Sequence, residues 1–184
     1  PVFLKAKTGA GHTVDLVLLV DYCLKQLENE LIRLGIKENT ILIFSSDNGP
    51  REGVNGHKSA GDFRGFKGQI FEGGHRVPLI IRWPGVISAG RSTDETVCMT
   101  DFMATFANLF DKSLPPNAGE DSYSLIPLLM EKEYEKPLRP STVHHSGAGA
   151  FAIRKGDWKL IFGEVEHGEI PEDQTNWTNR GYLF

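Results

Sequence analysis

Thr40-Ile-Leu-Ile-Phe-Ser-Ser-Asp-Asn-Gly-Pro50 decides the fold class. Residues 40–46 form a β-branched and aromatic run, the mark of a buried strand, and Asp47-Asn48-Gly49-Pro50 is turn chemistry that ends it. Upstream, Leu16, Leu19, Val20, Cys23, Leu27, Leu31 and Leu34 recur at spacings of three and four. They predict one amphipathic helix over 15–34, with Gly35 as its C-cap and its apolar stripe packed on a sheet. Downstream, Val77-Pro-Leu-Ile-Ile-Arg-Trp83 is a second apolar strand closed by Pro84-Gly85. Helix followed by buried strand reads as an α/β fold.

Residues 49–76 between the strands are rich in glycine and lack periodicity, and a loop of that length in a compact domain is usually functional or disordered. Thr100 or Asp101 can cap a helix running to Leu109, and Ser124 to Met130 reads as a short helical turn. The composition shifts around Pro115-Pro116 and from Pro137 to Pro140. Beyond it, Phe151-Ala-Ile-Arg154, the turn Lys155-Gly156-Asp157 and Trp158-Lys-Leu-Ile-Phe162 predict a hairpin. The expected organisation is therefore a main portion over 1–140 and a small antiparallel appendage over 141–184, in which 163–180 is polar and carries no pattern.

With Gly 20 of 184 residues added to 40% hydrophobic residues, the apolar share is about half, that of an ordinary globular domain. Lys+Arg 20 against Asp+Glu 24 leaves a net charge of −4 without a basic tract, which argues against nucleic acid or an anionic membrane as the main partner. The longest clean apolar run, Leu16 to Val20, is far short of a membrane span. Cys23 and Cys98 make neither a disulfide framework nor a metal spacing. The chain opens at Pro1 and closes within the apolar Gly181-Tyr-Leu-Phe184, and the expectation is a piece of a longer protein.

Asp47-Asn48 stands where a strand ends, and ligands in open α/β sheets bind outside the carboxyl ends of strands. A carboxylate beside an amide oxygen offers hard donors suited to Ca²⁺ or Mg²⁺. By itself Asp-Asn-Gly is also a common turn. Its context is Gly61-Asp-Phe-Arg-Gly-Phe-Lys-Gly-Gln-Ile-Phe-Glu-Gly-Gly-His-Arg-Val-Pro78.

The ordered series Asp-Asn-Gly, Arg-Gly-x-Lys-Gly, Glu-Gly-Gly-x-Arg-Val-Pro and Trp-Pro-Gly resembles the type I sulfatases, the arylsulfatase-like branch of the alkaline phosphatase superfamily. The likeness extends through Asp15 and Asp21, Asp101 to Leu109, Asp121-Ser-Tyr-Ser-Leu-Ile-Pro127, and His144-His145-Ser146 leading to Phe151–Leu160. It implies an α/β fold that is part of an alkaline-phosphatase-like mixed sheet flanked by helices, with a small antiparallel C-terminal subdomain. It implies hydrolysis of sulfate esters, aryl or glycan, by a calcium-dependent formylglycine mechanism. Asp47 and Asn48 become ligands of one divalent cation, usually calcium, and Lys67 the lysine that contacts the sulfate. His57, His144 and His145 become candidates for binding substrate; strand alternation lets only one of the last pair point inward, and the register is open. Glu72, Arg76 and Arg64 read as residues that fix the glycine loop. His12 lies too close to the first helix for the family's acid histidine.

Neither Cys23 nor Cys98 stands in the Cys/Ser-x-Pro/Ala-x-Arg context that yields the formylglycine nucleophile. The nucleophile, two further metal-binding aspartates and the upstream His and Lys are expected in an N-terminal part of the same protein, so this chain alone is expected to be inactive. Two alternatives are a phosphatase or phosphodiesterase of the same superfamily and a catalytically dead binding module. The former usually carries Asp-His where Asp47-Asn48 stands, because imidazole suits zinc. The resemblance also implies a periplasmic, secreted or lysosomal location.

Overall fold

The computed structural model of the chain describes residues 7–9, 11–53, 56–162 and the backbone of 182–183. Pro1, the polar stretch 163–180, Gly181 and Phe184 lie outside the described residues. The chain divides into two compact units, one of Pro1–Leu42 with Ile81–Ala89 and the other of Ile43–Ile80 with Gly90–Phe184. The antiparallel strands beyond residue 141 belong to the second unit.

In the first unit, α1 spans His12–Arg33 and begins three residues before the expected start. The Asp15 N–H already donates to the Gly11 carbonyl at 3.1 Å, and the Asp15 carboxylate accepts from the Thr8 hydroxyl at 2.8 Å. The helix ends as foreseen: Gly35 adopts φ 70°, and Gly35 and Ile36 donate back to Ile32 and Leu31. Its apolar stripe, however, is not covered. Only Asp15 is buried in α1, while Leu16, Val20, Leu27 and Leu34 are exposed. The 3-10 turn Lys37–Asn39 is tied back by Lys37 to Glu28 at 2.8 Å.

The strands predicted over 40–46 and 77–83 form as β1 (Leu42–Ser45) and β2 (Leu79–Arg82), neighbours in a two-stranded sheet. The loop between them contains one short helix, α2 (Glu72–His75). The hairpin is in place, and a further strand precedes it. β3 (Thr142–His145), β4 (Phe151–Lys155), β5 (Trp158–Phe162) and β6 (Tyr182–Leu183) make a four-stranded antiparallel sheet in that order. Its register sets His144 beside Ala152 and Ala152 beside Ile161. Ala152 and Ile161 are fully buried and meet Ile70 and Phe71 of the glycine loop in the unit's hydrophobic cluster. The sheet is therefore the floor on which that loop rests.

α3 (Asp101–Leu109) and α4 (Ile126–Leu129) match the two predicted helical stretches. Asp101 does not serve as a simple cap. Fully buried, its carboxylate accepts from the Cys98 N–H at 2.7 Å, the Tyr123 N–H at 3.0 Å and Arg139 Nη1 at 3.2 Å. The Arg139 side chain is equally buried, and its other arm reaches Asp121 at 2.7 Å, a carboxylate whose side chain is 55% exposed. Removing one partner of a buried ion pair leaves an uncompensated charge, whereas an exposed partner is replaced by water. Asp101→Ala is therefore expected to destabilise the protein by about 3–5 kcal/mol, and Asp121→Ala by about 1 kcal/mol or less. Urea unfolding of the two variants checks this ordering, and equal losses would contradict it.

Candidate active site

The turn that ends β1 is held by main-chain contacts. The Gly49 N–H donates to the Gly74 carbonyl at 2.9 Å, and a Cβ on Gly49 would lie 1.9 Å from the Gly73 carbonyl oxygen. Only a residue without a side chain permits that approach. The adjacent Pro50 carbonyl accepts from the Lys67 N–H at 2.7 Å. Phe66 and Gln69 close the turn around Lys67, with the Gln69 N–H donating to the Phe66 carbonyl and the Gln69 side-chain oxygen accepting from the Phe66 N–H. Finally the Gly147 N–H, two residues past His145, donates to the Gly68 carbonyl at 2.7 Å.

These ties bring Asp47, Asn48, Lys67 and His145 to one cavity of about 330 Å³. The Asn48 amide nitrogen donates to the Gly49 carbonyl at 2.9 Å. His145 Nδ1 lies 2.9 Å from the Ser146 carbonyl oxygen. A carbonyl can only accept, so Nδ1 carries the proton and Nε2 remains for a ligand. Asp47 and Asn48 together present hard oxygen donors. Among the described residues no group of three or more His, Cys, Asp or Glu is arranged to hold a metal ion.

The remaining sequence candidates are placed elsewhere. His57 is exposed and does not line the cavity. His144, on the opposite face of β3 from His145, lines a second cavity of about 680 Å³ that contains none of Asp47, Asn48 and Lys67. It packs against His75 with ring centroids 4.2 Å apart. His75 itself lines both cavities, a placement that sequence reasoning missed although the residue sits inside the Glu-Gly-Gly-His-Arg motif. Glu72 gathers Arg76 at 2.7 Å, Lys159 at 3.1 Å and Arg154 at 3.4 Å, while the Arg64 guanidinium lies 3.9 Å from the Phe71 ring centre. Cys23 is exposed on α1, and Cys98, near Thr142, is half-buried with its thiol pKa pushed up by burial. Neither cysteine reaches the smaller cavity.

The sulfatase family model matches residues 11–112, more than half of the chain. The chain belongs to the sulfatase family. It is 34% identical over 165 residues to N-acetylgalactosamine-6-O-sulfatase of Bacteroides thetaiotaomicron, covering 84% of this chain and 32% of that protein. It is 32% identical over 182 residues to human arylsulfatase A, covering 92% of this chain and 33% of that protein. A solved Bacteroides thetaiotaomicron structure from work on the metabolism of multiple glycosaminoglycans aligns over 100% of this chain and 40% of its own, with a TM-score of 0.82 and 31% identity. A Pseudoalteromonas sulfatase aligns over 100% of this chain and 36% of its own, with a TM-score of 0.75 and 29% identity. The mixed α/β architecture is the alkaline-phosphatase-like fold of these sulfatases. The chain spans about a third of the length of the curated relatives it matches.

The paired imidazoles give the unit an acid sensitivity. Burial, reinforced by the Lys159 charge, lowers His75 from 6.5 to about 4 and His144 from 6.5 to about 3. The unfolded chain therefore takes up protons that the folded imidazoles refuse once the pH drops below about 6.5, so their contribution is fully present above that pH and declines as the pH falls to about 4 for His75 and about 3 for His144. Melting temperatures recorded across this window should fall with acid, and His144→Leu should flatten the dependence. An unchanged slope in that variant would assign the acid sensitivity to other groups.

Proposed function

We propose that this chain supplies one wall of the active site of a type I sulfatase that hydrolyses sulfate esters, aryl or glycan. The convergence of Asp47, Asn48, Lys67 and His145 on one cavity carries this reading. The Asp47 carboxylate and the Asn48 amide oxygen fit a hard divalent ion of the calcium type and would be its ligands from this chain. When bound, that ion supplies positive charge to the ester oxygens. Lys67 places an ammonium on the same negative charge, at the tip of a turn whose main chain is fixed at Pro50 and Gly147. His145 offers Nε2 to a hydroxyl of the substrate or of a sugar carrying the sulfate.

The nucleophile, a formylglycine in this reading, lies outside the chain, whose sequence contains no Cys/Ser-x-Pro/Ala-x-Arg motif. The chain alone is accordingly without turnover. A sulfated glycan is the favoured substrate class, supported by the relative named N-acetylgalactosamine-6-O-sulfatase and by a structural neighbour solved with D-glucosamine-2-N,6-O-disulfate, which aligns with a TM-score of 0.64 and 25% identity. An extracytosolic compartment belongs to the same proposal; among the described residues, no helix is long and apolar enough to cross a membrane.

In the full-length protein, Lys67→Ala is expected to lower kcat/KM on a sulfate ester by roughly 10²–10³, with little change in melting temperature because Lys67 is exposed. Lys67→Arg should restore only part of the loss, since a planar guanidinium does not replace a compact ammonium. Asp47→Ala should weaken cation binding and activity together. Steady-state assays and calcium titrations on the purified variants check these outcomes, and a change in kcat/KM below about fivefold for Lys67→Ala would remove Lys67 from the site.

A further inference from the structure

We propose that Lys159 is a positioning residue that holds Lys67 in place, an inference that rests on the assignment of Lys67 to the sulfate ester. Lys159 lies on β5, where alternation turns it and Ile161 toward the loop, and its side chain is only 6% exposed. An ammonium in that position needs partners, because burying an unpaired charge is prohibitively costly. Its Nζ donates to the main-chain carbonyl of Ile70 and to the Glu72 carboxylate at 3.1 Å. Ile70 is fully buried on the same floor and stands three residues from Lys67.

The loop carrying Lys67 thus has anchors on three sides. Pro50 takes the Lys67 N–H next to the Asp47-Asn48 turn, Gly147 grips the Gly68 carbonyl next to His145, and Lys159 grips Ile70. The first two anchors are main-chain bonds, made where glycines let the segments approach. The third depends on a single side chain. Glu72 serves it from the other side: its carboxylate, shared with Arg76 and Arg154, balances the Lys159 charge and pins the start of α2. Arg154 and Lys159 are directly paired across β4 and β5, so the sheet holds both cations in register with Glu72. Lys159 does not line the smaller cavity. It acts on the substrate only through the backbone between Ile70 and Lys67.

A double-mutant cycle in the full-length protein tests this. Turnover of an aryl sulfate is measured for the wild type, Lys159→Met, Lys67→Ala and the double variant, alongside melting temperatures. Lys159→Met should lower kcat by about tenfold to a hundredfold, the range expected when a catalytic group is displaced by a fraction of an ångström to 1 Å. In the Lys67→Ala background the same change should cost less than about twofold, because the group being positioned is gone. The fall in melting temperature caused by Lys159→Met should be the same in both backgrounds. Multiplicative losses in kcat, or an unchanged kcat in Lys159→Met, would overturn the positioning role while leaving Lys67 at the sulfate. A Lys67→Ala variant with full activity would instead overturn the reading of the site and the positioning role with it. If Lys159→Met does not fold, the isosteric Glu72→Gln takes its place in the same cycle, with the same two outcomes.

Discussion

The site depends on main chain meeting main chain where the end of the first strand lies against the glycine loop. A Cβ would stand 1.9 Å from the Gly73 oxygen if placed on Gly49, 2.0 Å from the Gly65 oxygen on Gly73, and 2.2 Å from the Gln69 oxygen on Gly74. Each distance is far inside van der Waals contact, so a side chain on Gly49 would push the Asp-Asn turn off the glycine loop, and one on Gly73 or Gly74 would break the folding of that loop on itself. These glycines are required for closeness and not for unusual torsions: among the loop's glycines that adopt positive φ are Gly65 and Gly68, whereas Gly49, Gly73 and Gly74 do not. One set lets the chain turn, and the other lets two segments touch.

The floor beneath that contact is an antiparallel sheet whose inner face is only partly apolar. Ala152 and Ile161 bury against Ile70 and Phe71, and one register step along the same face come Arg154 and Lys159. Burial raises the Glu72 pKa, but the Arg76 hydrogen bond and the Lys159 charge outweigh it and bring the net value below the ordinary carboxylate range. Burial lowers Lys159 in turn, opposed by Glu72. Removing either would leave the other as a buried charge, which makes the network a strong determinant of how the loop sits even where its net contribution to stability is small.

Local signals were legible in the sequence. The strand over 40–46, the helix over 101–109 and the 151–162 hairpin are encoded by short-range periodicity and turn residues, and each forms within a residue or two of its expected bounds. The convergence of Asp47 and Lys67 could be anticipated only from the motif series, because no periodicity relates residues twenty apart. Alternation along β3 dictated that His144 and His145 face apart, but not which faces inward; that phase follows from pairing with Ala152 and Ile161, contacts distant in sequence. Asp101 misled for the same reason. An acid at a helix start reads as a cap, and nothing local announces the buried Arg139 thirty-eight residues later. The exposed stripe of α1 shows the limit from the other side, since an amphipathic pattern specifies a face to be covered without specifying what covers it.

Two classes of charge can be told apart in this unit by how they are held. Asp101, Arg139, Glu72, Arg76 and Lys159 are engaged with one another through their side chains, and their charge is spent on fixing the fold. Asp47 and Lys67 are held by the main chain of their turns, and no ion pair among the described residues occupies either side chain. Positioning through the backbone leaves a carboxylate and an ammonium free to meet a ligand without first breaking an existing pair. In the proposed site this would let the Lys67 ammonium face developing negative charge directly, while the Asp47 carboxylate would contribute through the cation it is proposed to hold.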